Sequence, residues 1–553
     1  MTSRLVRGAA LALLAAITAG ITACTPSGAV TEAATGSARP RVATDGILRM
    51  AGNQRPDNLD PLIGTQTIDT DLSLLWGSYL FLWNDHDQFV PDLATTVPTP
   101  DNGGVSADGL TITYHLRSGV VWQDGQPFTA ADVVYSWRQV LNPRNNAGSR
   151  QGYDQIRSID TPDAHTFVVH LKRRYAPFVA TFFSMSATSF CLLPKHLLSK
   201  YPNLNQISYN QIPVGTGPFR VVANTDGRVR LVANALYWRG VPGLKEIDYQ
   251  YVARDTKILD LLRAQKVDFY EDAAQALEPE LHGIIGTTVY LYPFTRWTDI
   301  GLNLSRPQLR DPRVRHALAY AIDREGLIEH VTHGVNFPAD SDQPPFFWAH
   351  DDHVKIDPYD PAVAGRLLDA AGWHVGRDGI RRKGGISMAL EMVGAVGDQT
   401  VADAQHYIQR EWQRIGVRVK IHNYDSARLY DDKADGGIEQ NGLYDVAIED
   451  WANGVDPDES QLFMCDMAPP AGWNIYHYCD PKLDAAENAG ISDYREARRK
   501  LDYARVQRIL SDDLPIIVLW FQQRQDVATI GLQNYRPAHA VSPFWNSWQW
   551  QLQ

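Results

Sequence analysis

Two hydrophobic periods alternate along this chain of 553 residues, and that alternation most restricts the folds open to it. Thr111-Ile112-Thr113-Tyr114-His115-Leu116-Arg117 sets Ile112, Tyr114 and Leu116 on one face at a spacing of two. It follows the turn signal Asp108-Gly109 directly and predicts a half-buried strand. Thr166 to Lys172 predicts another. Between them, Thr129-Ala130-Ala131-Asp132 is a capping box, with Val133, Trp137, Val140 and Leu141 along one side of the helix it opens. Asp311-Pro312 starts a helix with an N-cap carboxylate and a proline in the first turn; Val314, Ala317, Leu318, Ala321 and Ile322 form its apolar stripe. Asp360-Pro361 repeats the device, with Ala364, Leu367, Leu368 and Ala371 on one face and Gly372 as the stop. Val401, Ile408, Trp412 and Ile415 mark a helix ended by Gly416, after which Val417, Val419 and Ile421 alternate as a strand. Helices interleaved with strands in this way predict a mixed α/β fold with helices packed on sheets. The length exceeds one ordinary core, so two or three lobes are expected. No tandem repeat or internal linker divides them, which predicts lobes built from discontinuous segments.

The N-terminus carries a different signal. Arg4 and Arg7 give a short positive region, and Gly8 to Ala23 is uncharged and rich in Ala and Leu. That stretch is short for a spanning helix, which needs about 20 residues, and it predicts a secretory signal over residues 1–23. Ile21-Thr22-Ala23-Cys24 looks like a bacterial lipobox, and Cys24 is the one Cys in the first 190 residues. Lipidation of Cys24 is expected, anchoring the protein to the outer face of the cell membrane, because two or three acyl chains hold stably where one is marginal. Residues 24–45 are Thr, Ser, Ala, Gly and Pro with few large apolar side chains, the composition of a flexible tether.

Composition narrows the function by exclusion. The formal net charge of −12 repels phosphate backbones, so no nucleic-acid partner is expected. No G-x-S-x-G elbow, phosphate-cradling G-x-x-x-x-G-K-[ST] or H-E-x-x-H helix is present, which leaves an enzyme without a nucleophile, nucleotide site or zinc pair. No catalytic residue, metal or cofactor is expected. His350-Asp351-Asp352-His353 has ligand-type side chains but lies in a Pro-rich polar stretch and reads as a solvated loop; His330 and His333 read as helix-end caps. Of the Cys other than Cys24, Cys191 sits in the apolar run Phe190-Cys191-Leu192-Leu193 and reads as a buried free thiol. A Cys465–Cys479 pair would close a short loop in an oxidising compartment.

Several segments together resemble the family 5 bacterial extracellular solute-binding proteins, the peptide, oligopeptide and nickel-binding components of ABC importers. They are Leu59-Asp60-Pro61; Asp108 to Arg117; Val121-Trp122-Gln123-Asp124-Gly125; Phe128 to Ser136; Val214-Gly215-Thr216-Gly217-Pro218-Phe219; Asp311 to Arg315 and Ala321 to Arg324; Tyr359 to Trp373; Ile415-Gly416-Val417; and Asp484 with Asp513-Leu514-Pro515-Ile516. The resemblance covers essentially all of residues 46–553, in order. Gly215, Gly217 and Pro218 are expected to shape a tight backbone path near a crossing between lobes.

The resemblance implies a periplasmic-binding-protein-like fold: two hinged lobes joined by two chain crossings, with an extra domain on one of them. Lobe I is expected from 46–75, 206–305 and 526–553, the extra domain from 76–205, and lobe II from 306–525. It implies a monomer that captures short peptides by hinge closure and delivers them to membrane permease subunits. In peptide-binding members a carboxylate in a loop after a Trp meets the peptide amine, because a buried ammonium needs a counter-charge. Here that loop reads Trp451-Ala452-Asn453-Gly454-Val455-Asp456-Pro457-Asp458, one residue shorter than the family pattern. Trp451, Asn453, Gly454 and Asp456 are the expected ligand residues, with Asp456 or Asp450 taking the amine. A disulfide like that of dipeptide-binding members implies the Cys465–Cys479 pair. The departure at Asn453 keeps open a non-peptide cargo such as haem, a metal chelate or an oligosaccharide. A surface peptidase or hydrolase, and a signalling receptor partner, are the more distant alternatives.

Overall fold

The structure is a computed structural model that describes residues 45–64, 66–186 and 190–553. The expected signal region, Cys24 and nearly all of the tether lie outside the described residues. Ten strands carry the frame: β1 (Ile47–Gly52), β2 (Phe219–Thr225), β3 (Arg228–Ala233), β4 (Glu246–Tyr251), β5 (Phe269–Tyr270), β6 (Thr287–Leu302), β7 (Ala389–Val393), β8 (Arg418–Ile421), β9 (Val446–Ala452) and β10 (Ile516–Thr529). They join in the order β8-β7-β9-β6-β10-β5-β1-β4-β3-β2, and the short strand Phe337–Pro338 adds to β10. The fold is mixed α/β, with parallel pairs (β1 with β4 and β5, β7 with β8 and β9) and antiparallel ones in the same sheet.

The two long strands, β6 and β10, lie side by side, antiparallel, in the middle of that order. Their N- and C-terminal portions belong to different halves: Thr287–Thr288 pair with Ala528–Thr529 beside β5, while Ile300–Gly301 pair with Ile516–Ile517 beside β9. The chain thus passes twice between a half built on β1–β5 and a half built on β7–β9. Separate cores support them. Leu48, Met50, Ile247, Phe269 and Trp550 pack in one cluster, and Ile300, Leu318, Leu390, Ile408 and Trp412 in another.

Between helix α1 (Thr67–Trp76) and β2, residues form a small three-stranded sheet of Thr111–His115, Thr166–Leu171 and Ile156–Asp163. Ile112, Tyr114 and Leu116 are all buried, as the alternation predicts, and they belong to the same continuous core as Leu48 and Trp76. The helix read from Thr129 runs over Ala130–Val140, with the Asp132 carboxylate accepting from Thr129 N–H at 2.9 Å. Asp311 and Asp360 cap Pro312–Tyr320 and Pro361–Ala370 by accepting N–H bonds at 3.0 and 2.9 Å. Gly372 and Gly416 take the left-handed conformation expected of stops, both at φ +85°.

Two expectations are corrected. Gly215 and Gly217 do not sit at a crossing between the halves. They lie against the end of α1, where an added Cβ would be 2.0 Å from the Trp76 carbonyl oxygen and 2.4 Å from that of Gly77. Close backbone approach, not a hinge, excludes side chains there. The stretch from His350 to His353 is solvated only in its second half. His350 and Asp351 are buried, His350 bonding the Gln343 carbonyl at 2.8 Å and Asp351 accepting from Arg508 at 2.6 Å. Polar composition concealed them because each finds its own partner, His350 a buried carbonyl and Asp351 a half-exposed guanidinium. Cys191 is buried and unpaired, and His333 forms the left-handed cap of Arg324–Thr332.

Candidate functional site

β9 ends at Ala452, and the chain then turns through Asn453 and Gly454, whose φ of +68° suits a residue without a side chain. This turn faces the 76–205 segment across a gap, and three adjoining cavities occupy that gap. The central one, about 210 Å³, is walled by Tyr153, Tyr175 and Ser186 on one side and by Trp451, Asn453, Asp456, Asp458, Glu459 and Trp473 on the other. A second, about 370 Å³, shares Ser149, Ser186, Phe190 and Ala452 with it and continues past Phe294 and Arg296 of β6 to α1 and Ser542. A third, about 510 Å³, shares Ala180 and Asp456 and opens among Trp83, Phe89, Phe178, Trp348 and Tyr494. The row is lined by aromatic rings with a few polar groups, as small-molecule clefts are.

The loop after β9 is tied from behind. The Asn453 Oδ1 accepts from the Trp297 indole N–H at 2.7 Å, and its Nδ2 donates to the Asp342 carbonyl at 2.8 Å. Trp451 packs edge-on against Trp473 with ring centroids 6.2 Å apart. Trp473 lies inside the loop closed by the Cys465–Cys479 disulfide, so the staple holds one wall of the central cavity. Gly454 is buried and lines none of the three cavities.

The carboxylates divide by environment. Asp456 accepts from the Arg499 guanidinium at 2.6 Å, with little exposure on either side chain. Burial opposes the charge on Arg499, and the Asp456 carboxylate outweighs that and keeps it protonated. Burial pushes Asp458 up, and burial together with the Asp342 carboxylate pushes Glu459 well up; the Gln343 side-chain amide donates to both Asp342 and Glu459 at 2.9 Å. Asp450 lies outside these cavities and accepts from the Thr298 hydroxyl. The structure therefore brings Trp451, Asn453 and Asp456 into one cavity wall, with Asn453 fully engaged and Asp456 already neutralised. Sequence reasoning missed the opposite wall, from Ser149 to Phe190, and also Arg296, Trp473 and Arg499. Trp473 alone left a signal, since it falls between the two paired Cys.

The model of the family described as bacterial extracellular solute-binding proteins, family 5 Middle, matches residues 88–470. Protein XP55 of Streptomyces lividans is 29% identical over 92% of this chain and 88% of its own length. The oligopeptide-binding protein AppA of Bacillus subtilis is 23% identical over 98% of both chains. NikZ of Campylobacter jejuni, solved with Ni(L-His), superposes with a TM-score of 0.78 at 26% identity, covering 92% of this chain and 99% of that one. Fold and cleft thus define a two-lobed binding protein. The chain belongs to the family 5 extracellular solute-binding proteins. These are transport proteins rather than enzymes, they work outside the cytoplasm, and its relatives are ABC-transporter components. Among the described residues no helix is long and apolar enough to cross a membrane.

Proposed function

We propose that this chain is the solute-capturing lipoprotein of an ABC importer, monomeric, anchored through Cys24, and that its cargo is a short peptide enclosed between the lobes and released unaltered to the permease. The moving bodies would be 46–75 with 206–305 and 526–553, and 306–525, with 76–205 riding on the first. The observation that carries the reading is the row of three adjoining cavities along the 76–205 segment, two of them walled on the other side by residues of 306–525 and the third by residues of 46–75, 206–305 and 526–553. Peptides offer the same backbone groups whatever their sequence, so a cleft of this length with aromatic walls and scattered hydroxyls and amides suits varied side chains. AppA, named as an oligopeptide-binding protein, supports the cargo class. Calorimetry with mixtures of tri- to pentapeptides, followed by mass spectrometry of the recovered peptides, tests it. Saturable heat with intact peptides is expected; silence with every mixture defeats the peptide reading, and cleaved peptides defeat transport.

A second cargo, a metal chelate, is favoured by one observation. The carboxylate expected to take a peptide amine is already paired with Arg499, and NikZ was solved with Ni(L-His). Native mass spectrometry showing retained metal with a small chelator would select this reading.

A further inference from the structure

The pairing of β6 with β10 is broken between Pro293 and Trp297: these residues oppose Gln523 and Phe521, so three residues on β6 face one on β10. An interruption of this kind re-aims side chains. Here it turns Phe294 and Arg296 toward the 370 Å³ cavity, while Arg296 keeps its register with Ala452 on β9. Arg296 is half-buried and makes no hydrogen bond or ion pair among the described residues; its guanidinium rests 5.5 Å from the Phe294 ring. Of the carboxylates nearby, Asp71 accepts from Arg524 at 2.8 Å; Asp450 accepts from Thr298 and lies close enough to Arg296 for the guanidinium to favour its ionised form, without a hydrogen bond between the two. Two further features face the same space. Ser542, 6% exposed, has a hydroxyl with no hydrogen-bond partner among the described residues. The first turn of α1, a helix of ten residues, contributes Thr67 and Thr70 and brings the positive end of its dipole. Burial pushes Asp69, the acidic residue of that turn, up to about 8, so it adds little opposing charge at neutral pH.

We infer that this cavity is an anion subsite in which Arg296 receives a carboxylate of the cargo and Ser542 donates a second hydrogen bond to it. The inference rests on the capture of a solute between the lobes and adds its polarity: the acid end lies against β6 and α1, and the rest extends toward Trp451 and Trp473. A guanidinium and a hydroxyl without a hydrogen-bond partner among the described residues are the groups that gain most from such a ligand, since a charge-assisted hydrogen bond is roughly twice as strong as a neutral one.

The test compares acids with their amides on the full chain by calorimetry: tri-alanine against tri-alaninamide, and hippurate against hippuramide. Amidation is expected to weaken binding about tenfold to a hundredfold. Arg296→Ala is expected to bring each acid down to its amide while leaving the amides unchanged, Arg296→Lys to restore part of the difference, and Ser542→Ala to remove a smaller part. Thermal melts check that the variants fold; Arg296 makes no hydrogen bond among the described residues whose loss would matter. If tri-alanine and its amide bind wild type equally, the subsite falls and the peptide reading stands. If hippurate binds through Arg296 and the peptides do not, the subsite stands and the peptide reading falls. Silence with all four overturns both.

Discussion

Asp456 shows how a residue's chemistry depends on a partner that sequence proximity does not reveal. Its carboxylate follows a Trp and precedes a Pro as a ligand group would, yet Arg499, 43 positions later, reaches it at 2.6 Å. Asp60 presents the opposite case, a carboxylate with too little company. Its side chain is fully buried, Oδ1 accepts from Leu62 N–H at 3.1 Å, and Oδ2 has no partner among the described residues. Burial pushes it up to about 7. The folded chain therefore keeps this proton to higher pH than the unfolded chain, where an Asp titrates near about 4. The stability it contributes is complete below about pH 4 and is lost as pH rises toward about 7. Asp60→Asn keeps an acceptor and removes the titration. Its stability relative to wild type is expected to improve by about 2–4 kcal/mol between pH 4 and pH 8; chemical denaturation at both pH values measures this, and a pH-independent difference would falsify it.

At the scale of elements, the strands and helices with a strong period were legible, because one buried face forces the pattern: Val314, Ala317 and Leu318 are buried in Pro312–Tyr320, and Ile408 and Trp412 in Gln399–Arg414. The crossing strands were not read from the sequence. β6 is buried on both faces along Trp297–Leu302, so no alternation marks it. The loop from Cys465 to Cys479 connects element to function through Trp473. Its disulfide spans 14 positions, and a loop of that length loses roughly 3 kcal/mol of stability when opened. The Cys465→Ser, Cys479→Ser double variant is expected to lose about that much in urea denaturation and to bind peptide more weakly, with the Trp451–Trp473 contact loosened. Unchanged binding would show that the staple acts on folding alone.

Across the whole molecule, the 76–205 segment is bonded to the last turn of helix Pro481–Ser492 and the chain just after it. The Tyr494 hydroxyl donates to the Gly109 carbonyl at 2.7 Å and accepts from Tyr175 N–H at 3.2 Å, its ring packs edge-on against Phe178, and Ala176 N–H donates to the Ile491 carbonyl at 2.6 Å. In the proposed hinge motion these bonds would close one side of the cleft and break as the lobes separate. Tyr494→Phe is expected to weaken ligand binding about threefold to thirtyfold with little change in melting temperature, since two hydrogen bonds are lost from the closed form only. Small-angle scattering with and without peptide reads the same equilibrium. A variant that compacts on ligand as readily as wild type rules out this latch.

The sequence by itself determined the mixed α/β class, the capped helices and the ordered landmarks of the family, because periodicity, caps and turn residues are local consequences of backbone geometry. It also placed Trp451, Asn453 and Asp456 in one short loop. Tertiary structure alone decided what those residues face. Arg296, Ser542, Ser149 and Arg499 come from four separate segments of the chain, and each is ordinary in its own neighbourhood. Charge and hydrogen bonding act over a few ångströms of space whatever the separation along the chain, so whether a carboxylate is spent or a guanidinium is open is settled only when the lobes meet.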